Sequence, residues 1–223
     1  MTKLYIVSTP IGNLKDITLR ALDILKEVDL ILCEDTRVTK KLLNHYDIKT
    51  PVQSYHQHSS LGKINKIKDL LKQEKNLALV SDSGTPGISD PGNKLVNELM
   101  SDKLMSSIEI IPVPGPSALT TIASISGFPM DKFIFMGFPP HKKGRNKFFR
   151  EILEYKYPVI LYESPYRIIK TLKELDSQVT GYELQVTIGR ELTKKFETIY
   201  RGKIKNIINQ IKPKGEFVIV INL

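Results

Sequence analysis

The sequence predicts an α/β protein built from two α/β domains, and three observations carry that prediction. Short segments rich in β-branched and aromatic residues recur along the chain. Each is followed by a turn rich in Gly, Pro or Asp and then by a stretch with helical spacing, which is typical of an α/β fold with largely parallel strands. A run of chain breakers at residues 111–116 divides the 223 residues, so we expect domains at 1–113 and 114–223.

The predicted strands are the short apolar runs that precede these turns. They lie at residues 4–8, 30–33, 77–80, 108–113, 133–136, 159–162, 184–188, 196–200 and 217–221. Because the last run is strongly apolar, we expect the C-terminal segment to be built into a sheet.

The predicted helices follow the turns. Helical spacing of apolar residues is clearest at residues 17–28, where Asp16 is the expected N-cap. Further helices are expected at residues 36–45, 59–74, 94–100, 117–126, 147–155, 166–175 and 203–211.

The formal charge of +9 is distributed unevenly between the two halves of the chain. Residues 1–111 hold 15 basic and 14 acidic side chains, whereas residues 112–223 hold 18 and 10, which gives +1 and +8. A positive field attracts polyanions, so the second half is expected to face one. A general lysine-rich bias on solvated faces is the alternative, and composition alone leaves it open.

The densest basic segment is residues 141–150, which hold five cations, two adjacent aromatic residues and no acid. Lysine and arginine pair with phosphates, and aromatic faces stack on unpaired bases, so the composition suits RNA or single-stranded nucleic acid. We expect the cations to contact a partner and the aromatic residues, Phe148 and Phe149, to pack in the core.

Three strand-to-helix loops, at residues 8–14, 81–92 and 112–118, are rich in small residues. Ligands of open α/β sheets bind beyond the carboxyl ends of strands, so the loops are expected to converge on one pocket. The second loop has three Gly and two Pro in twelve residues, more than a turn requires. Its Asp82 and Asp90 would repel a triphosphate and tolerate an ammonium or sulfonium group.

Several chemistries are disfavoured by what the sequence lacks. It has no phosphate-binding P-loop, no G-x-G-x-x-G fingerprint and no G-x-S-x-G elbow. His45, His56 and His58 are not completed by a Cys or carboxylate at metal-ligand spacing, so no metal is expected.

No segment approaches the ~18 apolar residues of a membrane span. The lone Cys33 is expected to be a packed thiol, which suits a cytoplasmic protein.

A series of motifs recurs in the order of a known family. They are residues 4–22, Glu34-Asp35-Thr36-Arg37, residues 81–92, residues 112–118, Gly137-Phe138-Pro139-Pro140, residues 161–167 and Arg190-Glu191-Leu192-Thr193-Lys194. Together they resemble the tetrapyrrole methylase superfamily, and within it the branch that methylates small-subunit ribosomal RNA. The resemblance runs from about residue 3 to residue 221.

The resemblance implies two α/β domains with S-adenosylmethionine in the cleft between them, usually in a homodimer. It also implies methyl transfer to the ribose 2′-hydroxyl of a cytidine in the decoding region of 16S rRNA, free or within the 30S subunit. The cofactor positions that it implies are Ile11, Asp82, Thr85, Ile88, Ser117, Ala118, Tyr162, Gly189 and Gly215.

Charged positions near the implied cleft are assigned to the RNA and to the reacting hydroxyl. The cations expected to hold RNA are Arg37, Lys142, Lys143, Arg145, Arg167, Arg190 and Lys194. Glu163 or Glu191 is expected to remove the hydroxyl proton, while Glu34 and Asp35 are other acids near the cleft. The alternative for each carboxylate is an ion pair with a neighbouring arginine, which we favour for Glu191 beside Arg190.

Two departures from the family pattern bear on the substrate. Tyr55-His56-Gln57-His58 is followed by Ser59-Ser60 where many relatives have Asn-Glu, and relatives commonly continue past the position of Leu223. Two other functions stay open: methylation of a small tetrapyrrole-like macrocycle, and RNA binding without catalysis in ribosome assembly. The charge of the second half disfavours the first, and the three loops disfavour the second.

Overall fold

The computed structural model describes residues 1–56, 59–181 and 183–223, and the chain divides into two units at residues 1–117 and 118–223. This division lies one residue beyond the proline-rich run at 111–116 and four residues beyond the boundary expected between 113 and 114. Each unit contains its own five-stranded sheet. Gln57 and His58, which belong to the Tyr-His-Gln-His segment, lie outside the described residues, as does Tyr182.

The first unit is built on a parallel sheet in the order β3-β2-β4-β1-β5. Its strands are β1 (Lys3–Val7), β2 (Leu30–Cys33), β3 (Val52–Ser54), β4 (Leu77–Leu79) and β5 (Glu109–Val113). Its helices are α1 (Leu19–Glu27), α2 (Thr36–His45), α3 (Leu61–Lys72) and α4 (Asn93–Ser101). The predicted parallel arrangement is confirmed for this unit.

Both faces of this sheet are covered by helices, because successive strand residues point to opposite sides. Ile31 packs with Leu25 of α1 and Leu42 of α2 on one face. Leu32 packs on the other face in a cluster that includes Ile64 of α3 and Leu95 of α4. The inner strands β2 and β4 are therefore largely buried on both sides, whereas the edge strands β3 and β5 are partly exposed.

Two local predictions in this unit were wrong. Helix α1 is capped by Thr18, whose hydroxyl accepts the Ala21 N–H at 3.1 Å, while Asp16 belongs to a preceding 3₁₀ turn. Strand β3 was not predicted, because Val52-Gln53-Ser54 is three residues long and mostly polar. It forms by pairing with β2 along one edge of the sheet.

The second unit contains β6 (Ile134–Gly137), β7 (Val159–Glu163), β8 (Gln185–Arg190), β9 (Thr198–Lys203) and β10 (Phe217–Asn222), in the order β6-β7-β10-β8-β9. Among the described strands of this unit, only β6 and β7 pair in parallel, so the expectation of largely parallel strands is wrong here. Residues 191–197 join β8 to β9 without a helix, and such a short connection permits only an antiparallel pair. The C-terminal strand β10 is built into this sheet, as expected, and it lies in the middle.

The helices of the second unit are α5 (Ala118–Ser124), α6 (Arg145–Glu154), α7 (Ile168–Ser177) and α8 (Ile204–Ile207). Phe149 is fully buried, and Phe148 packs against the same cluster, which confirms the core role expected for both. Cys33 in the first unit is buried as expected, and burial raises the pKa of its thiol. Within the described residues, no helix combines the length and apolar character that a membrane crossing requires.

Candidate active site

The three small-residue loops meet beyond the carboxyl ends of β1, β4 and β5, while the single pocket on which they were expected to converge stays a prediction. Thr9 and Gly84 exchange two backbone hydrogen bonds of 2.8 and 3.1 Å. The hydroxyl oxygens of Ser8 and Thr85 lie 2.9 Å apart, and the Thr85 hydroxyl also donates to the Pro116 carbonyl at 3.3 Å. One threonine thus links all three loops.

Glycine at two positions permits this close packing. Gly84 has φ +80°, and a Cβ there would lie 3.4 Å from the Ile11 side chain. A Cβ on Gly115 would lie 3.0 Å from Cβ of Ser8. Gly84 therefore supplies a backbone conformation that residues with side chains rarely adopt, and Gly115 lets the third loop approach Ser8 closely.

The nine proposed cofactor positions divide between the two units. Ile11, Asp82, Thr85, Ile88 and Ser117 lie in the loops of the first unit, where Ile11 is buried and Ile88 exposes an apolar side chain. Ala118 begins α5 of the second unit, Tyr162 lies in β7, Gly189 in β8, and Gly215 just before β10.

Gly189 and Gly215 each have a packing reason to be glycine. A Cβ on Gly189 would lie 2.8 Å from Leu192 Cδ2 and 2.9 Å from Ile122 Cδ1. Gly215 has φ +90°, and a Cβ there would overlap the Glu191 carboxylate. The contacts of the second unit alone therefore account for both glycines.

An open cavity of about 430 Å³ lies at the carboxyl ends of β2, β3 and β4. It is lined by Glu34, Asp35, Thr36, Arg37, Ser54, His56 and Asp82. The Asp82 carboxylate accepts the Asp35 N–H at 2.9 Å, so the second loop is connected to the start of α2. A smaller cavity of about 200 Å³ also includes Asp82, together with Thr9 and Ser81. Neither cavity includes Thr85, Ile88 or Ser117.

Glu34 is the available carboxylate of the larger cavity. It is half-buried, and it has no hydrogen bond or ion pair among the residues that the structure describes. Burial raises its pKa, the negative charge of Asp82 raises it further, and His56 acts in the opposite direction. A carboxylate in this state is a better proton acceptor near neutral pH than one held in an ion pair.

The carboxylate of Asp35, next to Glu34, is already bonded to the backbone and the side chain of Arg37. Its carboxylate accepts the Arg37 backbone N–H at 2.8 Å as the N-cap of α2, and it pairs with the Arg37 guanidinium at 2.6 Å. The side-chain hydrogen bond from Arg37 lowers the pKa of Asp35 to about 2. The Arg37 side chain is 86% exposed, so the pair lies at the surface.

Glu163, one of the two expected bases, is buried and fully engaged. Its Oε1 pairs with Arg167 Nη2 at 2.8 Å and accepts the Ser164 N–H at 2.7 Å, and its Oε2 accepts the Thr171 hydroxyl at 2.5 Å. The arginine ion pair that we favoured for Glu191 is therefore found at Glu163. This geometry gives Glu163 a structural role and leaves neither oxygen facing solvent.

Glu191, the other expected base, pairs with Lys194 at 3.1 Å rather than with Arg190. It also accepts the Glu216 N–H at 2.9 Å. Partial burial acts to raise its pKa, but these two hydrogen bonds lower it on balance. Arg190 instead donates to the carbonyls of Lys214 and Phe196, at 2.6 and 3.0 Å.

The cations assigned to RNA separate into internal and exposed groups. Arg145 has a side chain only 5% exposed, and it donates to Glu174, Thr171 and the Pro140 carbonyl at 2.5 to 2.8 Å. Arg145, Arg167 and Arg190 are thus anchored within the unit rather than presented as surface cations. Arg37, Lys142 and Lys143 are exposed, and Lys194 lies between Glu191 and Glu216.

Sequence reasoning missed three exposed residues close to this basic segment, Phe138, Tyr166 and Lys170, whereas Lys147 was among the five cations expected to contact a partner. Their signal was present, since Phe138 and Tyr166 lie inside the quoted family motifs. As for metals, no group of three or more His, Cys, Asp or Glu side chains that could hold an ion occurs among the residues described, and His58 lies outside them.

The family model described as Tetrapyrrole (Corrin/Porphyrin) Methylases matches residues 3–208. The chain is 46% identical to a protein of Thermotoga maritima named ribosomal RNA small subunit methyltransferase I, over 100% of this chain and 99% of that one. A Mycoplasmopsis pulmonis protein of the same name is 47% identical, over 99% and 97%.

Among solved structures, the crystal structure of the methyltransferase CobJ is similar to this chain with a TM-score of 0.72. The match covers 100% of this chain and 94% of that one at 16% identity. At that identity the likeness shows the fold alone.

Proposed function

The chain belongs to the tetrapyrrole (corrin/porphyrin) methylase family and is a methyltransferase, and from that premise we propose that its substrate is small-subunit ribosomal RNA. The methyl donor that we propose is S-adenosylmethionine, and the acceptor is the ribose 2′-hydroxyl of a cytidine in the decoding region of 16S rRNA. Relatives of matching length, 46% and 47% identical, carry the name of an rRNA methyltransferase, which supports RNA over a macrocycle.

The single observation that carries the cofactor proposal is the junction of three loops at Ser8, Thr85 and Pro116. S-adenosylmethionine carries a sulfonium, an ammonium, a carboxylate and an adenosine. The three loops offer closely spaced backbone groups and hydroxyls, together with the carboxylate of Asp82, whose charge is opposite to that of the sulfonium and the ammonium. The residues present therefore fit this cofactor. We propose that it is held by Ile11, Asp82, Thr85, Ile88 and Ser117, with contributions from Ala118, Tyr162, Gly189 and Gly215.

When bound, S-adenosylmethionine supplies an electrophilic methyl group. The chain must supply a way to remove the hydroxyl proton, because a neutral ribose hydroxyl is a poor nucleophile. A positioned base contributes about 10²–10⁴-fold to such a step. Glu34 is the carboxylate best suited to accept that proton, since Glu163 and Glu191 are both engaged in ion pairs.

The remaining parts of the proposal concern the assembly. We propose that the protein works in the cytoplasm as a homodimer and that it methylates rRNA within the 30S subunit. The net charge of +8 over residues 112–223 supports an RNA substrate, because a small macrocycle has no need of a broad cationic surface.

The test is methyl transfer to 30S particles from cells that lack this protein, with S-adenosylmethionine labelled on the methyl group. The expected result is labelling of one cytidine of 16S rRNA, located as a 2′-O-methyl by mass spectrometry of nuclease fragments. Labelling of a tetrapyrrole but not of RNA would establish the macrocycle alternative. If calorimetry detects no binding of S-adenosylmethionine, the non-catalytic RNA-binding alternative replaces the proposal.

A further inference from the structure

We propose that the second unit carries an RNA-docking surface in which two exposed aromatic rings, Phe138 and Tyr166, adjoin a cationic cavity formed by Lys142, Lys147 and Lys170. Its occupant is an unpaired segment of ribosomal RNA, with phosphates in the cavity and bases against the rings. This inference rests on the proposed function and specifies how the substrate is held.

The cationic cavity lies at the N-terminus of α6 and has an open volume of about 400 Å³. It is lined by Lys142, Gly144, Arg145, Asn146, Lys147, Lys170 and Glu174. Lys142 and Lys147 are exposed, and the Lys170 side chain is 63% exposed. The single acid, Glu174, is paired with Arg145 and, at 3.7 Å, with Lys170, so the lining holds four cations against one carboxylate and is positive on balance.

Helix α6 adds to this positive potential. Its N-cap is Gly144, which has no side chain to accept the first backbone N–H groups of the helix. Those groups and the helix dipole favour an anion at this end, and here they act together with the lysines of the cavity. Phosphate is the anion that a nucleic acid presents.

The aromatic rings extend the surface beyond the cavity. Tyr166 is 95% exposed and Phe138 is 52% exposed, large values for rings of this size. Phe138 directly precedes Pro139, and Tyr166 directly precedes Arg167. These two neighbours are hydrogen-bonded, since Arg167 Nη1 donates to the Pro139 carbonyl at 2.8 Å. This hydrogen bond joins the two segments that carry the rings, and the Phe138 ring also packs edge-on against the Tyr162 ring, with centroids 5.6 Å apart. Exposed rings beside cations are the combination that stacks unpaired bases.

A buried polar network holds this surface in place. Arg145 donates to the Pro140 carbonyl at 2.7 Å, and Arg167 donates to the Pro139 carbonyl beside it. The Thr171 hydroxyl connects the network, since it accepts from Arg145 and donates to Glu163. The turn after Phe138 is thus fixed before any ligand binds, which reduces the entropy lost on binding. The two arginines are positioning residues in this account.

The exposed rings and the lysines together favour a single-stranded nucleic acid over other polyanions. A duplex keeps its bases stacked on one another and offers no free faces to Phe138 and Tyr166. An acidic protein segment would use the lysines but would give the exposed rings no comparable partner. Charge complementarity and the rings together therefore indicate unpaired RNA.

The experiment measures the affinity of the full-length protein for an unstructured RNA oligonucleotide by fluorescence anisotropy at several salt concentrations. The triple variant Lys142→Glu, Lys147→Glu, Lys170→Glu is expected to raise Kd at least ~10-fold and to reduce the salt slope by about 2, at ~0.7 per phosphate contact. Tyr166→Ala is expected to raise Kd about 5-fold or more with the slope unchanged, and Tyr166→Phe to retain the wild-type Kd.

A matched control reverses three exposed lysines of the same unit that do not line this cavity, Lys156, Lys205 and Lys212. This triple glutamate variant is expected to bind RNA more tightly than the cavity variant, although its net charge is the same. The triple arginine variant at Lys142, Lys147 and Lys170 is expected to bind like wild type, and circular dichroism checks that every variant is folded.

Two results would overturn the docking surface: equal affinities of the cavity and control variants, or wild-type affinity in both Tyr166→Ala and the cavity variant. Neither result bears on the proposed function if wild-type protein methylates 30S particles. Conversely, a wild type that binds RNA through this surface and transfers no methyl group to 30S particles would overturn the proposed function alone.

Discussion

The carboxylate of Glu163 and the guanidinium of Arg167 form a buried ion pair, with 2.8 Å between Oε1 and Nη2. The pair joins the end of β7 to the start of α7. It continues through Thr171 to Arg145 on α6, so one polar network connects three elements of the second unit. A charge pair in such a place is costly to break from one side, because the remaining charge stays buried.

Glu163→Ala is therefore expected to lower the free energy of unfolding by about 3 kcal/mol, the usual cost of orphaning one member of a buried pair. Urea unfolding followed by circular dichroism measures this change. Glu183→Ala is the matched control, since Glu183 pairs with Lys203 at the surface and its loss should leave the stability nearly unchanged. Equal effects of the two variants would contradict a structural role for Glu163.

A second prediction concerns Glu34, the half-buried acid of the cavity that Asp82 also lines. Glu34→Gln is expected to lower kcat for rRNA methylation by about 10²–10⁴-fold, because an amide cannot accept the hydroxyl proton. The Kd for S-adenosylmethionine should stay within a small factor of wild type. Glu27→Gln, at an exposed position on α1, is the control.

The pH profile provides a further check on Glu34. Burial raises the pKa of this carboxyl, and the base is active only when deprotonated, so kcat is expected to fall as the pH drops through the raised pKa. Above that pKa the rate should reach a plateau. Glu34→Gln should remove this acidic limb, and a variant that keeps the limb would show that another group accepts the proton.

The basic segment shows how much of the site could be predicted from the sequence. Its composition correctly indicated a cationic surface, but composition does not tell which side of a helix a cation occupies. Arg145, Phe149 and Ile152 have the spacing of one helix face, and all three are buried. The spacing was a usable signal that Arg145 points inward, where it also lies over the Phe149 ring at 5.1 Å.

For the two sheets as well, some features could be predicted from the sequence and others could not. The order of strands and helices identified the three loops and their meeting place, because parallel strands put their carboxyl ends on one edge. The antiparallel pairing of β10 with β7 and β8 depends on contacts between distant segments, which no local pattern records, whereas the short connection between β8 and β9 was a local signal for an antiparallel pair. The pairs Glu163–Arg167 and Glu191–Lys194 are local, but Glu163 ends a strand and Glu191 lies in a loop, where a spacing of four or three residues does not by itself predict a contact.

A third prediction concerns Asp35, whose pKa of about 2 results chiefly from the side-chain hydrogen bond of Arg37. Arg37→Ala is expected to raise this pKa toward the ordinary range of an aspartate, ~3.9, in a carboxyl-carbon NMR titration. Since the folded-state pKa is the lower one, the pair stabilises the fold above about pH 4. That contribution is lost as the pH falls toward the folded-state pKa. An unshifted midpoint in the variant would contradict the pairing.

The last prediction separates packing from cofactor contact at Gly189. A Cβ there would press on Leu192 and Ile122, at 2.8 and 2.9 Å, so Gly189→Ala is expected to lower the free energy of unfolding by about 2 kcal/mol through overpacking. Gly62→Ala is the contrasting control, because its nearest neighbour is 3.9 Å away and alanine favours the helix it occupies. That variant should be as stable as wild type or slightly more so.

The double variant Gly189→Ala, Leu192→Ala decides between the two roles of Gly189. If packing alone requires the glycine, shortening Leu192 makes room for the new methyl group, and the double variant loses less stability than the sum of the single variants. Its Kd for S-adenosylmethionine, measured by calorimetry, should then match that of Leu192→Ala. A Kd that stays weakened after the stability is recovered would show that the backbone at Gly189 contacts the cofactor directly.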